Sequence, residues 1–226
     1  FPNTASLVQH LIGAQHAFCM DIEAACSGFL YALETGRQFI ESGSQETVLV
    51  IGAEKMSGIV DWKDRTTCVL FGDGAGAAVI QARSEHGIVA STMGSDGALS
   101  DLLMVPAGGS RRPASADSLA RRDHYIKMQG REVFKNAVAA MTRSGKEVLE
   151  KAGRSIDEVA CVIPHQANAR ILSAVAHRLG VDNDILYTNV ERYGNTSAAS
   201  IILAIDEASR EGRFMRGDLI LCVAFG

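Results

Sequence analysis

The chain has 226 residues, of which 47% are hydrophobic and 21% are charged, an ordinary globular composition that allows a sizeable core. Its formal net charge of −4, with lysine and arginine spread along the sequence, argues against nucleic acid as a main partner. No stretch approaches the roughly 20 apolar residues needed to cross a bilayer, so we expect no membrane partner either.

Apolar runs rich in β-branched residues alternate with helical patterns along the chain, which predicts a layered α/β fold. The expected elements, in chain order, are a helix over 5–12, a strand over 18–22, a helix over 26–41, strands over 47–53, 75–81 and 88–93, a helix over 131–152, a strand over 159–164, helices over 169–179 and 196–211, and a strand over 218–224. Gly43, Gly153 and Gly180 stand where helices are expected to end, and Ser155 is a candidate cap for the next element.

Residues 107–123 have a different composition, in which Gly, Ser, Pro and Ala are mixed with four arginines. This composition predicts a long surface loop. Such a loop either covers a site as a lid or is a solvated connection, and we favour the connection. The four arginines are Arg111, Arg112, Arg121 and Arg122.

The five cysteines are odd in number and widely spaced, with no CxxC pair. Most of them lie inside apolar runs. This pattern argues against a disulfide framework and against a zinc site, and it favours reduced thiols. We therefore expect a cytoplasmic protein without a bound metal.

Cys26 is the strongest candidate for a reactive group. It follows the small residues Ala24 and Ala25 and begins an apolar helix, where the helix dipole and free N–H groups favour a thiolate. The ordinary alternative is a buried structural cysteine. The remaining cysteines are assigned to that alternative: Cys19, Cys68, Cys161 and Cys222.

Two further polar residues occupy positions where a site is expected. His165 follows the strand pattern over 159–164, and the carboxyl ends of strands face the ligand crevice of an α/β sheet. Asn195 follows Gly194 before a small-residue helix pattern, where a simple helix cap is the alternative. With Cys26 they form a set of nucleophile, hydrogen-bond partner and polar orienter.

Papain-like proteases carry the same three residue types in the same order. His165 follows Cys26 by 139 residues, within the window of about 130–150 residues for those proteases. The local sequence is different, because this chain has Ala-Ala-Cys-Ser-Gly-Phe where the proteases have Cys-Gly-Ser-Cys-Trp. The protease interpretation is therefore rejected.

Residues 71–77 form a glycine-rich stretch, Phe-Gly-Asp-Gly-Ala-Gly-Ala. Its spacing is neither GxGxxG nor a P-loop, and it leads into a strand instead of a helix. Glycines in a strand more often allow another backbone to approach closely. We therefore favour a packing role over nucleotide binding.

Four segments in chain order resemble the motif set of the β-ketoacyl-acyl carrier protein synthase III family: 21–29, 71–77, 164–168 and 194–200. The resemblance implies a thiolase-like, five-layered αβαβα fold that is incomplete in this chain. Residues 1–95 would then hold the latter part of the N-terminal thiolase half with the nucleophile. Residues 96–129 would be a connecting segment and surface loop, and 130–226 the C-terminal half with the histidine and the asparagine.

The resemblance also implies an acyltransferase with Cys26, His165 and Asn195 as its catalytic residues. The implied reaction is decarboxylative condensation of a short acyl-CoA primer, expected to be acetyl-CoA, with malonyl-acyl carrier protein. Its product, 3-ketoacyl-acyl carrier protein, initiates fatty acid synthesis. No cofactor is implied, because the CoA thioester enters as a substrate, and the family's homodimeric assembly is expected.

Further residues match family positions outside the catalytic set. The CoA channel would be lined by Arg65, Gly130, Phe134 and Asn168. The acyl pocket would involve Phe1, Phe71 and Met128. Lys135, Arg170 and Arg178 would form a basic docking patch for the carrier protein, with a plain solvated helix face as the alternative.

Two alternatives to this function remain. One is a related synthase of secondary metabolism or of long-chain condensation, and the other is a non-catalytic partner subunit. The presence of Cys26, His165 and Asn195 argues against the second. Because the family's glycine loop would continue after Gly226 and an upstream part would precede Phe1, we expect residues 1–226 alone to be inactive.

Overall fold

The computed structural model describes all 226 residues, and its strands form three two-stranded sheets. The helices are α1 Thr4–Leu11, α2 Gly28–Glu41, α3 Ala116–Ala120, α4 Gly130–Ala152, α5 Ala169–Leu179, α6 Val190–Tyr193 and α7 Ala199–Arg210. The strands are β1 Thr47–Lys55, β2 Asp73–Gln81, β3 Leu103–Met104, β4 Lys127–Met128, β5 Val159–Pro164 and β6 Leu219–Val223. Short 3₁₀ turns occur at Ala25–Ser27, Met56–Gly58, Gly97–Leu102 and Ile156–Glu158.

The antiparallel sheet of β1 and β2 has one face covered by helices and one face open. Alternate side chains of a strand point to opposite faces, and here the even-numbered positions face α2 and α7. Val50 is 3% exposed on the covered face, whereas Val79 is 66% exposed on the other. The sheet is therefore half-buried, as its alternating sequence indicates.

The parallel sheet of β5 and β6 is buried on both faces. One face packs on α7 through Cys161 and Ile163, and the other packs on α4 and α5 through Val162 and Leu221. Strands buried in this way are expected to be continuously apolar, which explains the unbroken run Val-Ala-Cys-Val-Ile-Pro. Four layers follow in order: the antiparallel sheet, α2 with α7, the parallel sheet, and α4 with α5.

Glycines in β1 and β2 allow α7 to approach the antiparallel sheet. A Cβ at Gly52 would lie 2.8 Å from the Ala198 carbonyl oxygen, and one at Gly76 would lie 2.8 Å from the Ile202 side chain. The glycine-rich stretch 71–77 thus has the packing role expected from its sequence.

Most of the predicted elements are present, but two are not. Residues 18–22 and 88–93 were expected to be strands and are not hydrogen-bonded to any neighbouring strand. Their sequences satisfy the local pattern, but a strand also needs a partner for its backbone groups. The helix expected over 196–211 begins at Ala199, because Ser197 has a positive φ of 48° that interrupts the helical path.

The surface loop expected over 107–123 is more ordered than its composition indicates. It contains α3, which Ser115 caps by accepting from the Ser118 N–H. Arg112 and Arg121 pair with Asp123 at 2.8 and 3.0 Å, and Arg122 pairs with the buried Asp61. A capping box and ion pairs therefore hold this segment in place.

Helix ends follow the sequence closely. Gly153 and Gly180 end α4 and α5 in the left-handed conformation, with φ of 63° and 75°. Ser155 and Glu158 form a capping box at the next turn. None of the helices has both the length and the apolar character of a membrane span.

We predict that Gly52→Ala destabilises the protein by about 1–3 kcal/mol, because the new methyl group collides with backbone that cannot rotate away. Gly58→Ala is the matched control, since a Cβ there meets nothing within 4 Å. Urea unfolding of both variants measures the difference. Equal stability of the two would show that α7 does not rest on β1 as described.

Candidate active site

The segment Asn195–Ser200, here called the 195–200 turn, lies between the antiparallel sheet of β1 and β2 and the parallel sheet of β5 and β6. Its first residue is held against the chain before β2, since the Asn195 N–H donates to Leu70 O at 2.7 Å and the Gly72 N–H donates to Asn195 O at 3.0 Å. Its last two residues begin α7, which lies between the two sheets. Side chains that contact this turn are therefore fixed relative to both sheets.

The Asn195 side chain has a fixed orientation. Its Oδ1 accepts from the Ser197 N–H at 2.8 Å, so Nδ2 remains as a donor without a partner in the chain. Nδ2 is also not among the buried unpaired polar atoms, so solvent or substrate can reach it. The helix-cap alternative for Asn195 is wrong, because the N-cap of α7 is Ala198; the Asn195 side chain closes a local turn and still presents a free N–H group.

His165 is placed at the end of the parallel sheet, where its N–H donates to Val223 O at 2.8 Å. Its ring contacts the 195–200 turn, with Nδ1 at 2.6 Å from Ser200 Oγ. The side chain is 2% exposed, and burial lowers its pKa to about 4. The imidazole is therefore neutral near pH 7 and acts as a hydrogen-bonding group rather than as a cation.

Cys26 lies in the 3₁₀ turn that precedes α2 and is 6% exposed. The preceding Ala25 has a positive φ of 45°, which turns the chain sharply just before Cys26. A side chain at Gly226 would collide with the backbone nitrogens of Cys26 and Ser27. The carboxyl end of the described chain thus lies against the N–H group of Cys26.

The expectation of a favoured thiolate at Cys26 is wrong for this structure. Burial raises the pKa of Cys26 to about 11, and the negative charge of Glu54 acts in the same direction. The Ser197 hydroxyl and the Cys26 N–H lower this pKa, but by less than burial raises it. The free-energy cost of removing the thiolate from water is larger than the stabilisation that the start of the helix provides.

Glu54, near the end of β1, is a neighbour of this site that the sequence did not reveal. It accepts from the Ser197 hydroxyl at 3.1 Å and from the Ala198 N–H at 3.3 Å. These bonds hold the 195–200 turn where Ser197 has its positive φ. A signal was present, because Glu54 lies near the carboxyl end of a strand, as does His165.

Ser197 and Ser200 were also not identified from the sequence as residues of the site. They lie three residues apart in the Thr-Ser-Ala-Ala-Ser run, and both are buried. Ser197 adjoins Cys26 and Ser200 adjoins His165. The spacing of the two hydroxyl groups is the sequence signal that was available for finding them.

The residues predicted to line a CoA channel are not joined by hydrogen bonds or ion pairs. Asn168 caps α5 by accepting from the Ile171 N–H at 3.0 Å, and it lines a cavity of about 470 Å³ together with Gly194. Gly130 and Phe134 lie in the first turns of α4, and Arg65 is exposed in the loop before β2.

The remaining predicted residues lie at separate places. Phe71 forms a β-bridge with Asn195, Met128 lies in β4, and Phe1 is exposed at the chain start. The three proposed docking residues are exposed on the adjacent helices α4 and α5, and none has an ion-pair partner. They are Lys135, Arg170 and Arg178.

A buried cysteine beside a helix start and a neutral histidine contact one turn between two sheets, and the first residue of that turn presents a free amide. Together with the alternating α and β layers, this arrangement is that of a thiolase-like condensing enzyme. Comparison with known proteins supports this class. The family model described as 3-oxoacyl-acyl-carrier-protein synthase III matches residues 20–97, and the C-terminal model of the same family matches residues 149–226.

The β-ketoacyl-acyl carrier protein synthase III of Caldanaerobacter subterraneus subsp. tengcongensis is 52% identical, over 100% of this chain and 69% of the relative. The crystal structure of the Aquifex aeolicus 3-oxoacyl-acyl carrier protein synthase III is 50% identical, with a TM-score of 0.90 over 100% of this chain and 69% of that chain. The priming β-ketosynthase of the R1128 polyketide pathway is 35% identical, with a TM-score of 0.90 over 100% and 67% of the two chains.

The chain belongs to the β-ketoacyl-acyl carrier protein synthase III family. It is an acyltransferase of the condensing type, which joins an acyl-CoA to malonyl-acyl carrier protein at the start of fatty acid synthesis. The thiolase-like fold expected from the sequence is confirmed.

We predict that alkylation of Cys26 by iodoacetamide accelerates as the pH rises towards 11, since only the thiolate reacts and burial sets its pKa. At fixed pH, Glu54→Gln should react several-fold faster, because it removes a charge that raises this pKa. Ser197→Ala should react more slowly, because it removes a hydroxyl that lowers it. Peptide mass spectrometry follows the rate at Cys26, and a plateau below pH 8 would contradict the raised pKa.

Proposed function

We propose that Cys26 is the acylated nucleophile of this synthase and that His165 and Asn195 supply hydrogen bonds to the second substrate. The observation that supports this is that Asn195 begins the 195–200 turn, while Cys26 adjoins Ser197 and His165 contacts Ser200 in the same turn. Family membership alone does not assign roles to residues, and this shared turn offers a physical reason for the assignment.

In the first half-reaction, the Cys26 sulfur attacks the thioester carbonyl of an acyl-CoA. A carbon–sulfur bond to Cys26 forms, the bond to CoA breaks, and the proton of Cys26 leaves with the CoA thiol. The tetrahedral oxyanion needs N–H donors at short distance, and the Cys26 N–H at the start of its helix is well placed to be one.

In the second half-reaction, the bond between the malonyl carboxylate and its α-carbon breaks, and carbon dioxide leaves. The electron pair forms an enolate, whose negative charge collects on the thioester oxygen. His165 Nε2 and Asn195 Nδ2 both lack partners in the chain and can donate to that oxygen. The enolate carbon then attacks the acyl-Cys26 carbonyl, and the sulfur of Cys26 leaves as a thiolate that takes up one proton from solvent to restore the thiol.

Neither half-reaction transfers electrons to an external acceptor, and we propose that no cofactor takes part beyond the CoA thioester substrate. Acetyl-CoA is the proposed primer. The CoA would pass Arg65, Gly130, Phe134 and Asn168. The acyl group would rest near Phe71 and Met128, with Phe1 contributed by a partner subunit in a homodimer.

Carrier-protein docking is proposed at Lys135, Arg170 and Arg178. Three exposed cations on adjacent helices, none paired with a carboxylate of the chain, suit an acidic partner.

The proposed location is the cytoplasm, in keeping with five free cysteines. We retain a division at 1–95, 96–129 and 130–226 for the two thiolase halves and their connection.

A second candidate function is supported by the similarity to the R1128 priming β-ketosynthase, at 35% identity and a TM-score of 0.90. A panel of acyl-CoA primers, assayed with malonyl-acyl carrier protein, separates the two. Preference for acetyl-CoA supports fatty acid initiation. Preference for longer or unusual primers supports a synthase of secondary metabolism.

We predict that Cys26 is the single cysteine acylated by acetyl-CoA. It combines a helix start, a sharp turn and small neighbours, whereas Cys161 and Cys222 lie in strands of the parallel sheet. Peptide mass spectrometry after incubation of the full-length protein locates the acyl group. Labelling at Cys68 or Cys161 would overturn the assignment.

We predict that His165→Ala and Asn195→Ala each lower malonyl decarboxylation about 10²–10³-fold, the usual effect of removing one oxyanion donor. Acylation of Cys26 should fall much less, since the surroundings of the thiol come from Ser197 and its own backbone. His177→Ala, exposed on α5, is the matched control. Equal loss of both half-reactions would instead favour a general-base role for His165.

A further inference from the structure

The neutral ring of His165 carries a single proton, and the nitrogen that holds it decides whether the side chain can donate to a substrate. Nδ1 lies 2.6 Å from Ser200 Oγ, whereas Nε2 has no partner in the chain. Two arrangements satisfy the first contact. Either Nδ1–H donates to the hydroxyl oxygen, or the hydroxyl donates to an unprotonated Nδ1.

The hydrogen bonds around Ser200 decide which of these two arrangements is present. Its oxygen already accepts from the Gln166 N–H at 3.3 Å, and the residue is 1% exposed. The hydroxyl proton makes no bond to a carbonyl of the preceding helical turn, the usual acceptor for a helical serine. If Nδ1 carried the ring proton, this buried hydroxyl would have no acceptor at all, which buried polar groups avoid.

The donor on the other side of Ser200 is itself fixed. Gln166 is fully buried, and its side-chain amide donates to Pro164 O at 2.8 Å and to Tyr187 O at 3.3 Å. Its Oε1 accepts from the Asn189 N–H at 2.9 Å. Because these bonds hold Gln166, its backbone N–H stays directed at Ser200.

We infer that Ser200 is a positioning residue that donates to Nδ1 of His165 and thereby keeps the ring proton on Nε2. The hydrogen bonds then run in one direction, from the Gln166 N–H to Ser200 and from the Ser200 hydroxyl to His165. The result is an N–H group on the side of the ring that has no protein partner. The inference deepens the proposed function and rests on it where Nε2 is said to donate to the enolate.

The direct test is the tautomer of His165 in the full-length protein with ¹⁵N-labelled histidine. Long-range ¹H–¹⁵N correlation spectra distinguish a protonated ring nitrogen from an unprotonated one, and His165→Ala identifies the signals. We expect Nε2 protonated and Nδ1 unprotonated from pH 6 to pH 8. A protonated Nδ1 in the unmodified protein overturns the inference without any need for a Ser200 variant.

The variants Ser200→Ala and Ser200→Thr test the hydroxyl itself, with Ser209→Ala on the exposed side of α7 as the matched control. In Ser200→Ala the ring should populate both tautomers. Malonyl decarboxylation should fall in proportion to the share of the ring that loses its Nε2 proton, about two-fold for equal populations, which is less than the loss of a whole oxyanion donor. Ser200→Thr should restore the single tautomer.

An unchanged tautomer in a folded Ser200→Ala protein would also overturn the inference. Failure of the proposed function gives a different result. In that case His165→Ala would decarboxylate malonyl-acyl carrier protein at the normal rate, while the tautomer of the unmodified protein would still follow Ser200. The spectra therefore report on Ser200, and the His165→Ala rate reports on the role of the ring.

Discussion

The close contact between the 195–200 turn and the glycine positions of the antiparallel sheet determines the geometry of the site. Gly52 lacks a side chain where the backbone of Ala198 comes near, and Gly74 lacks one where the Thr196 side chain comes near. Larger residues at these glycine positions would push the 195–200 turn away from the sheet of β1 and β2. The same turn meets the parallel sheet through Ser200 and His165. One short segment thus sets the relative positions of groups from opposite ends of the sequence.

Burial gives this site its chemical character. It raises the pKa of Cys26 to about 11 and lowers that of His165 to about 4, so both groups are neutral at rest near pH 7. A site of this kind offers oriented N–H groups instead of cations, and such donors are most effective where water is excluded. The carboxylate of Glu54 fits this picture, because it accepts from Ser197 and Ala198 and has no cation beside it. Its contribution is to hold the turn, at the expense of a higher thiol pKa.

The sequence was sufficient for most of the helices and strands, because these depend on local signals. Strand β5 and helix α5 have the predicted bounds, since an apolar run and a capped amphipathic helix need no distant partner to be recognised. Residues 18–22 and 88–93 carry equally good strand patterns and form no strand. Strand pairing depends on the whole fold, so it cannot be predicted from a short window of the sequence.

The error at Cys26 and the omission of Ser200 have a related origin. A helix start is visible in the sequence, whereas the burial that outweighs it at Cys26 depends on distant segments, among them the chain at Gly226, which lies against the Cys26 backbone. Ser200 likewise resembles any small helical residue until Gln166 is found on one side of its hydroxyl and His165 on the other. In both cases the sequence proposes a candidate group, and contacts between distant segments set its protonation. Motif matching therefore selects Cys26, His165 and Asn195 as candidates, whereas their ionisation and tautomeric states have to be derived from the folded site.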